Sequence, residues 1–172
     1  YKTATFGTPK VQLFGSGPLL GEALEAARLL KADWNIGSNV WSVTSFSELR
    51  KEAEQVERWN LNHPNATPKK NYIQKSLGKE KYPIVAVTDY MKMVSDQIRP
   101  YISNTYLTLG TDGFGRSESR ETLRNFFEVD RYYIVLAAVR SLNIKNKLSI
   151  EIAEKVMKKY NLDPEKPNPT TV

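Results

Sequence analysis

The chain has 172 residues, with 25 lysines and arginines against 19 acidic residues, and carries a net charge of +6. This length suits one domain with its own apolar core. The absence of cysteine excludes disulfides and thiolate metal sites and suits a reducing cytosol. No apolar run approaches the ~18 to 20 residues that cross a bilayer, and no signal segment is recognisable at the start. We therefore expect a cytoplasmic protein with no membrane partner.

The basic residues fall in small, separated clusters, such as Lys69 with Lys70 and Lys158 with Lys159. No run of five or six forms a basic arm. This distribution is typical of a solvated surface, so we expect no nucleic-acid partner. The first residue is Tyr1 rather than methionine, from which we expect a fragment of a longer chain.

The first third of the sequence reads as strand, turn, helix and strand. Residues 11–14 are apolar and end at Gly15-Ser16-Gly17. A helix beginning near Pro18 is expected to bury Leu20, Ala23, Leu24, Ala27 and Leu30 and to expose Glu22, Glu25, Arg28 and Lys31. Residues 39–44 form the next predicted strand, and Ser45 with Glu48 has the spacing of a capping box at the start of a second helix.

The middle of the sequence continues the alternation. A short helix over residues 72–77 and strands over residues 84–87 and 106–109 are predicted. Asp89 is the expected cap of a helix that carries Tyr90, Met91, Val94 and Ile98 and stops at Pro100.

The last third is predicted to be helical. Ser117 is the expected cap of a helix to about Phe127, and Ser149 of the final helix. Asp130 is the expected cap of a helix burying Ile134, Ala137, Ala138 and Leu142, with a strand over residues 132–136 as the alternative. We expect residues 1–162 to form a single α/β domain and residues 163–172 an extended tail. The predicted fold is doubly wound: a mainly parallel sheet of four to five strands with helices on both faces.

The glycine-rich segment over residues 110–115 follows a predicted strand and precedes a predicted helix. Its G-x-x-G-x-G spacing matches neither the dinucleotide fingerprint nor the phosphate loop. A tight turn that needs positive φ explains the glycines better than phosphate binding does.

Charged residues cluster after this segment, at Asp112, Arg116, Glu118, Arg120 and Glu121. Carboxylates and arginines could perform acid–base chemistry, but charges at a helix start more often cap it and pair with each other. At an oligomer interface, arginines would also fit carboxylates of a partner. His63, the single histidine, cannot build a metal site alone, and hydrogen bonds that order its loop are the first explanation for it. We therefore assign no catalytic, cofactor-binding or metal residue, and expect His63, Asp112, Arg116, Arg120 and Glu121 to face an interface or a channel.

Several segments together resemble the carboxyl-terminal part of the homodimeric, bacterial-type pyruvate dehydrogenase decarboxylating component. They are residues 11–17, residues 42–46, residues 57–60 with His63 and Pro64, residues 88–92, the stretch LGTDGFGRSESRETLRNFFEVD over residues 109–130, and Asn161, Leu162 and Asp163 with Lys166, Asn168 and Pro169. The likeness runs in order from about residue 10 to the end of the sequence, which makes it far more specific than any one motif.

The resemblance implies a transketolase-like enzyme of three α/β domains in a homodimer. Thiamine diphosphate and magnesium would lie in the other two domains, and this domain would support assembly. The whole enzyme would decarboxylate pyruvate and transfer the acetyl group to a lipoyl group of the acyltransferase component. The partners implied are the other domains of the same chain, the second subunit and that acyltransferase. The diphosphate–magnesium signature is absent from the sequence, so the fragment alone is expected to be inactive and to hold no cofactor.

The residues alone leave a second hypothesis open, an independent small-ligand-binding domain. Doubly wound sheets bind ligands beyond the carboxyl ends of their strands. Such a site would be lined by residues 15–17, 88–89 and 110–115.

Overall fold

Five strands form one mixed sheet in the computed structural model, which describes all 172 residues. The strands are β1 (Lys2–Phe6), β2 (Pro9–Gly15), β3 (Gly37–Ser42), β4 (Ile84–Val87) and β5 (Tyr106–Leu109), in the order β1-β3-β2-β4-β5. Strands β2 to β5 pair in parallel, while β1 pairs antiparallel with β3 at the edge of the sheet.

Seven α-helices connect and flank the strands. They are α1 (Leu20–Trp34), α2 (Phe46–Asn62), α3 (Tyr72–Leu77), α4 (Lys92–Asp96), α5 (Arg120–Phe126), α6 (Arg131–Ile144) and α7 (Ile150–Lys159). None of them combines the length and hydrophobicity that crossing a bilayer requires.

Helices cover both faces of the sheet because its central strands are apolar on both sides. Val11 and Leu13 of β2 pack with α1, α6 and α7, whereas Phe14 packs with α2 and α3 on the other face. The side chains of β4 also alternate between the two faces, with Val85 on the first and Ile84 on the second. The structure thus confirms the predicted doubly wound, mainly parallel fold.

The strands predicted over residues 84–87 and 106–109 and the short helix over residues 72–77 have the observed bounds. Helix α6 is confirmed as the structure of the segment after Asp130, and the alternative strand there is wrong. Strand β1 was missed. Its burial is slight and its pairing partner lies more than thirty positions away in the sequence, so no local pattern marks it.

Three expectations about helix starts and faces are wrong. Glu22 is almost fully buried rather than exposed. Helix α4 begins only at Lys92, so Asp89 does not cap it, and Tyr90 and Met91 remain exposed in the preceding loop. Helix α5 is capped by Ser119, not by Ser117.

The predicted capping box of α2 forms only by half. The Ser45 hydroxyl accepts the Glu48 backbone N–H, but the Glu48 carboxylate pairs with Lys51 at 2.8 Å. A reciprocal box instead begins α3, where Asn71 and Gln74 each accept a backbone N–H of the other.

The end of α7 and the carboxyl-terminal tail are each bound to the end of another helix. The Tyr160 hydroxyl donates to Asp33 at 2.8 Å and accepts the Trp34 indole N–H at 3.1 Å, which ties the end of α7 to the end of α1. Residues 163–172 contain turns and no helix or strand. The Lys166 ammonium donates to the backbone carbonyls of Asn125 and Phe126, so the tail is bound to the end of α5.

Gly37, at the start of β3, is where the backbone leaves no room for a side chain. A Cβ there would lie 2.0 Å from the Thr8 carbonyl oxygen, whereas one at Gly21 would meet nothing within 4 Å. We expect Gly37→Ala to lower the free energy of unfolding by about 3 kcal/mol, because the adjacent strands must separate. The matched Gly21→Ala change should raise it by about 0.5 kcal/mol through helix propensity. Urea unfolding of both variants tests this, and equal effects would contradict it.

Candidate functional site

The loops that follow β2, β4 and β5 meet at the carboxyl edge of the sheet. The Ser16 backbone N–H donates to the Val87 carbonyl at 3.1 Å, and the Thr88 N–H donates to the Leu109 carbonyl at 3.1 Å. The loops after β2 and β4 also touch, since a Cβ on Gly17 would lie 3.2 Å from an Asp89 carboxylate oxygen. The structure thus brings together the three segments that the sequence placed around one edge.

The glycines of the loop after β5 serve the packing of these loops. A Cβ at Gly110 would lie 2.7 Å from the Tyr90 carbonyl oxygen and the Lys92 nitrogen. Gly113 has a φ of +114° and lies against the Pro169 carbonyl. Close approach and positive φ therefore account for these two glycines without a bound phosphate.

A cleft of about 520 Å³ opens between these loops and α5. Its charged lining residues are Asp89, Arg116, Glu118, Arg120 and Arg124. The volume lies within the range of small-ligand pockets, but the lining mixes three cations with two anions and is open to solvent. The arrangement provides mixed charges rather than a focused field of one sign.

Two of the predicted site residues line this cleft. The Arg116 guanidinium lies 4.3 Å from the centroid of the Phe126 ring, a distance typical of a cation–π contact. Arg120 is exposed at the start of α5. Glu121 is exposed in the first turn of the same helix, where its charge suits the helix dipole, but it does not line the cleft.

Asp112 has a structural task. Its carboxylate accepts the Lys92 backbone N–H at 3.2 Å and so caps α4 from the neighbouring loop. It also lines a cavity of about 220 Å³ beside Lys166 and Asn168 of the tail. Asp112 therefore caps α4, the role that was predicted for Asp89.

His63 lies away from this cluster. It follows α2, which starts after the carboxyl end of β3 and runs 17 residues back toward the amino edge of the sheet. A helix of that length spans about 25 Å. The His63 ring stacks on Trp59 with centroids 4.2 Å apart, and its Nδ1 lies 2.7 Å from the Trp59 carbonyl oxygen. These contacts order the loop and leave His63 remote from the arginine cleft.

Residues 1–130 match the family model described as the transketolase-like TK C-terminal domain. The chain belongs to this family. The transketolases of Campylobacter jejuni and Leishmania mexicana superpose with TM-scores of 0.56 and 0.53 over 81% and 100% of this chain, or 18% and 19% of theirs. Their identities of 18% and 15% show a shared fold alone.

Relatives named pyruvate dehydrogenase E1 component are much more similar in sequence. Those of Cupriavidus necator, Pseudomonas aeruginosa and Escherichia coli K12 are 49%, 51% and 46% identical, over 95%, 92% and 93% of this chain. The chain spans 18% of the length of each. These identities confirm the resemblance that the co-linear segments indicated.

A buried ion-pair cluster lies beneath the cleft of this transketolase-like domain. One oxygen of Glu22 accepts the Arg131 backbone N–H and Nε, each at 2.9 Å. The other accepts Arg124 Nη1 at 2.8 Å and Arg131 Nη2 at 3.0 Å. Four donors thus satisfy one carboxylate on α1, and they come from α5 and the start of α6.

Burial alone would raise the pKa of Glu22. The hydrogen bonds and positive charge of Arg131, with the charge of Arg124, outweigh it, so the pKa of Glu22 lies below its ordinary value. The carboxylate is therefore ionised in the folded domain at neutral pH.

Sequence reasoning missed Glu22, although a signal was present. Ala26 lies one helical turn after Glu22 and is fully buried. Including Ala26 in the apolar stripe of α1 would have put Glu22 on the buried side. Its partners could not be named, because they lie more than a hundred residues away in the sequence.

The residues of this chain do not fit a diphosphate–magnesium site. No group of three His, Asp or Glu side chains comes close enough to hold a metal ion. Asp112, the acid of the sequence Thr111-Asp112-Gly113, is engaged as a helix cap. No chemical step through such a cofactor follows from these residues.

Removing the Glu22 charge should destabilise the domain. We expect Glu22→Gln to lower the free energy of unfolding at neutral pH by about 2 to 4 kcal/mol, because two arginines lose a buried partner. Since the folded pKa is lowered, this stabilisation is complete above the ordinary glutamate pKa and is lost as pH falls through the folded value. Urea unfolding from neutral to acidic pH measures both effects.

The matched control is Glu25→Gln on the same helix. Glu25 makes one i,i+3 pair with the mostly exposed Arg28, so its loss should cost less than about 1 kcal/mol. A Glu22→Gln effect as small as this, or one that grows at acidic pH, would show that the cluster does not stabilise the fold.

Proposed function

We propose that this chain is the carboxyl-terminal assembly domain of a pyruvate dehydrogenase of the E1 type. Identity of 46% to 51% with three relatives of that name, across more than nine-tenths of the chain, carries the proposal. Within it, residues 1–162 form the α/β domain and residues 163–172 a tail that braces α5. Arg116 and Arg120 face a partner surface, and Glu121 lies at its edge.

The longer protein would decarboxylate pyruvate with thiamine diphosphate and magnesium held by its other domains. It would then transfer the acetyl group to a lipoyl group of the acyltransferase component, as a cytoplasmic homodimer. The residues of this chain would contribute a packed core and a surface of mixed charge to that protein.

An exposed apolar surface supports the assembly role. We call it the assembly face and define it as Tyr90, Met91, Met93 and Phe114, with Arg116 at its border. Phe114 and Met93 are 80% and 70% exposed, and several large apolar side chains grouped on adjoining segments are typical of an interaction surface. The two segments that carry these residues are joined by the Thr111 N–H, which donates to the Tyr90 carbonyl at 3.0 Å, so they lie side by side.

Activity measurements test the division of labour. The 172-residue chain, supplied with thiamine diphosphate, magnesium and pyruvate, should release no carbon dioxide and show no saturable cofactor binding by calorimetry. The longer protein that contains it should be active, and deletion of this domain should reduce the fraction of dimer seen by sedimentation. Tight cofactor binding or decarboxylation by the 172-residue chain alone would overturn the proposal.

A surface substitution tests the assembly face. In the longer protein, Phe114→Ser should raise the dissociation constant for assembly about tenfold or more, since one buried aromatic anchor is lost. Leu61→Ser is the matched control, because Leu61 is 81% exposed but lies at the end of α2, remote from the face. Equal effects of the two substitutions on assembly would show that Phe114 is not at an interface.

The cleft of about 520 Å³ favours a second candidate, an independent small-ligand-binding domain. It lies where doubly wound sheets bind ligands, beyond the carboxyl ends of β2, β4 and β5. Its mixed charges and open mouth weigh against a tight site. Saturable binding of a small anion that is lost on Arg120→Ala would favour this function over assembly.

A further inference from the structure

A second cavity lies on the opposite face of the sheet, between the end of β3, the start of α2, and α3. Its volume is about 540 Å³, within the range of cavities that hold small molecules. Eight of its 14 lining residues are hydrophobic. It shares no lining residue with the arginine cleft or the assembly face, so the function proposed above does not involve it.

Aromatic rings form much of the wall. Phe14 and Trp41 pack edge to face with centroids 6.2 Å apart. The Trp41 indole N–H donates to the buried Gln12 side chain at 2.6 Å, which fixes the ring. Tyr1 and Tyr72, both more than half exposed, lie at the mouth. The site therefore has rigid inner walls and two aromatic side chains at its entrance.

The charged side chains that line the cavity are acidic. Glu48 and Glu52 contribute carboxylates, and no lysine, arginine or histidine lines the cavity. The terminal ammonium of Tyr1, at the mouth, donates to the Ser42 carbonyl at 2.9 Å. One Glu52 oxygen accepts the Tyr72 backbone N–H at 2.8 Å, which leaves the other oxygen available. Glu48 pairs with Lys51, but both side chains are more than half exposed, so this pair is easily exchanged.

One contact at the border shows what the aromatic wall attracts. The Lys2 ammonium lies 5.9 Å from the centroid of the Trp41 ring, near the outer limit of a cation–π contact. A cation inside the cavity would meet aromatic faces and two carboxylates together. An anion would meet the two carboxylates, while the ammonium groups of Tyr1 and Lys51 are already bound to the Ser42 carbonyl and to Glu48.

We propose that this cavity binds a small organic cation, an ammonium or guanidinium group carried on an apolar body. The apolar body lies against Phe14, Trp41 and Leu49, and the cationic group points to Glu48 and Glu52. This ligand class follows from the lining and is independent of the assembly role.

Nuclear magnetic resonance of the ¹⁵N-labelled chain tests the proposal with benzylammonium as the probe. The indole N–H signal of Trp41 should shift saturably, while those of Trp34 and Trp59, which lie outside the cavity, should not. Benzyl alcohol has nearly the same shape without the charge and should bind about tenfold more weakly. Benzoate should not bind. Equal affinity for benzylammonium and benzyl alcohol would reduce the site to an apolar hollow and overturn the proposal.

Substitutions test the carboxylates. Glu48→Gln with Glu52→Gln should weaken benzylammonium binding about tenfold, whereas Glu151→Gln with Glu154→Gln, two exposed acids on α7, should not change it. Glu48→Gln alone should give a smaller loss, and it cannot unfold the chain because Glu48 makes only an exposed pair. Unchanged affinity in the double variant would overturn the proposal. So would displacement of benzylammonium by self-association of the chain, because a second copy would then be the occupant.

Discussion

The fold depends on one carboxylate that must remain charged inside it. Burying a carboxylate without a partner would destabilise the fold by several kcal/mol. Glu22 therefore requires that Arg124 and Arg131 both pair with it in the folded domain. Arg131 begins α6, where the Asp130 carboxylate accepts the N–H groups of Tyr132 and Tyr133 and so directs the helix toward α1. Arg124 lines the cleft at the carboxyl edge. The same charge cluster therefore sets the packing of α1 on α6 and the floor of the cleft.

Much of the fold could be predicted because its central strands carry their own signal. A run such as residues 84–87, apolar at every position, is buried on both faces wherever it lies, so β4 was predicted with its observed bounds. The capping residues Asp130 and Ser149 likewise predicted where α6 and α7 begin. Strand β1 depends on pairing with β3 and has no such signal. The predicted start of α4 was wrong because the residue that caps this helix, Asp112, comes from a different loop.

The candidate site also has features that the sequence could predict and features that it could not. The meeting of residues 15–17, 88–89 and 110–115 could be foreseen, because parallel strands end at one edge. The sequence also brought Arg116 and Arg120 into one cluster, and the structure places both at the cleft. What the sequence could not show are contacts between distant positions: the partners of Glu22, the hold of Lys166 on the end of α5, and the walls of the aromatic cavity. The local role of His63 could be predicted, since its ring stacks on Trp59 and its Nδ1 lies 2.7 Å from the Trp59 carbonyl oxygen within the same loop region.

The bond between the end of α7 and the end of α1 has a consequence for synthesis on the ribosome. Trp34 and Tyr160 are 126 positions apart, so α1 leaves the exit tunnel long before the segment to which its end is bonded. The buried alanines of α1 share their core with Ala153 and Val156 of α7. The core on this face of the sheet is therefore complete only when α7 has emerged.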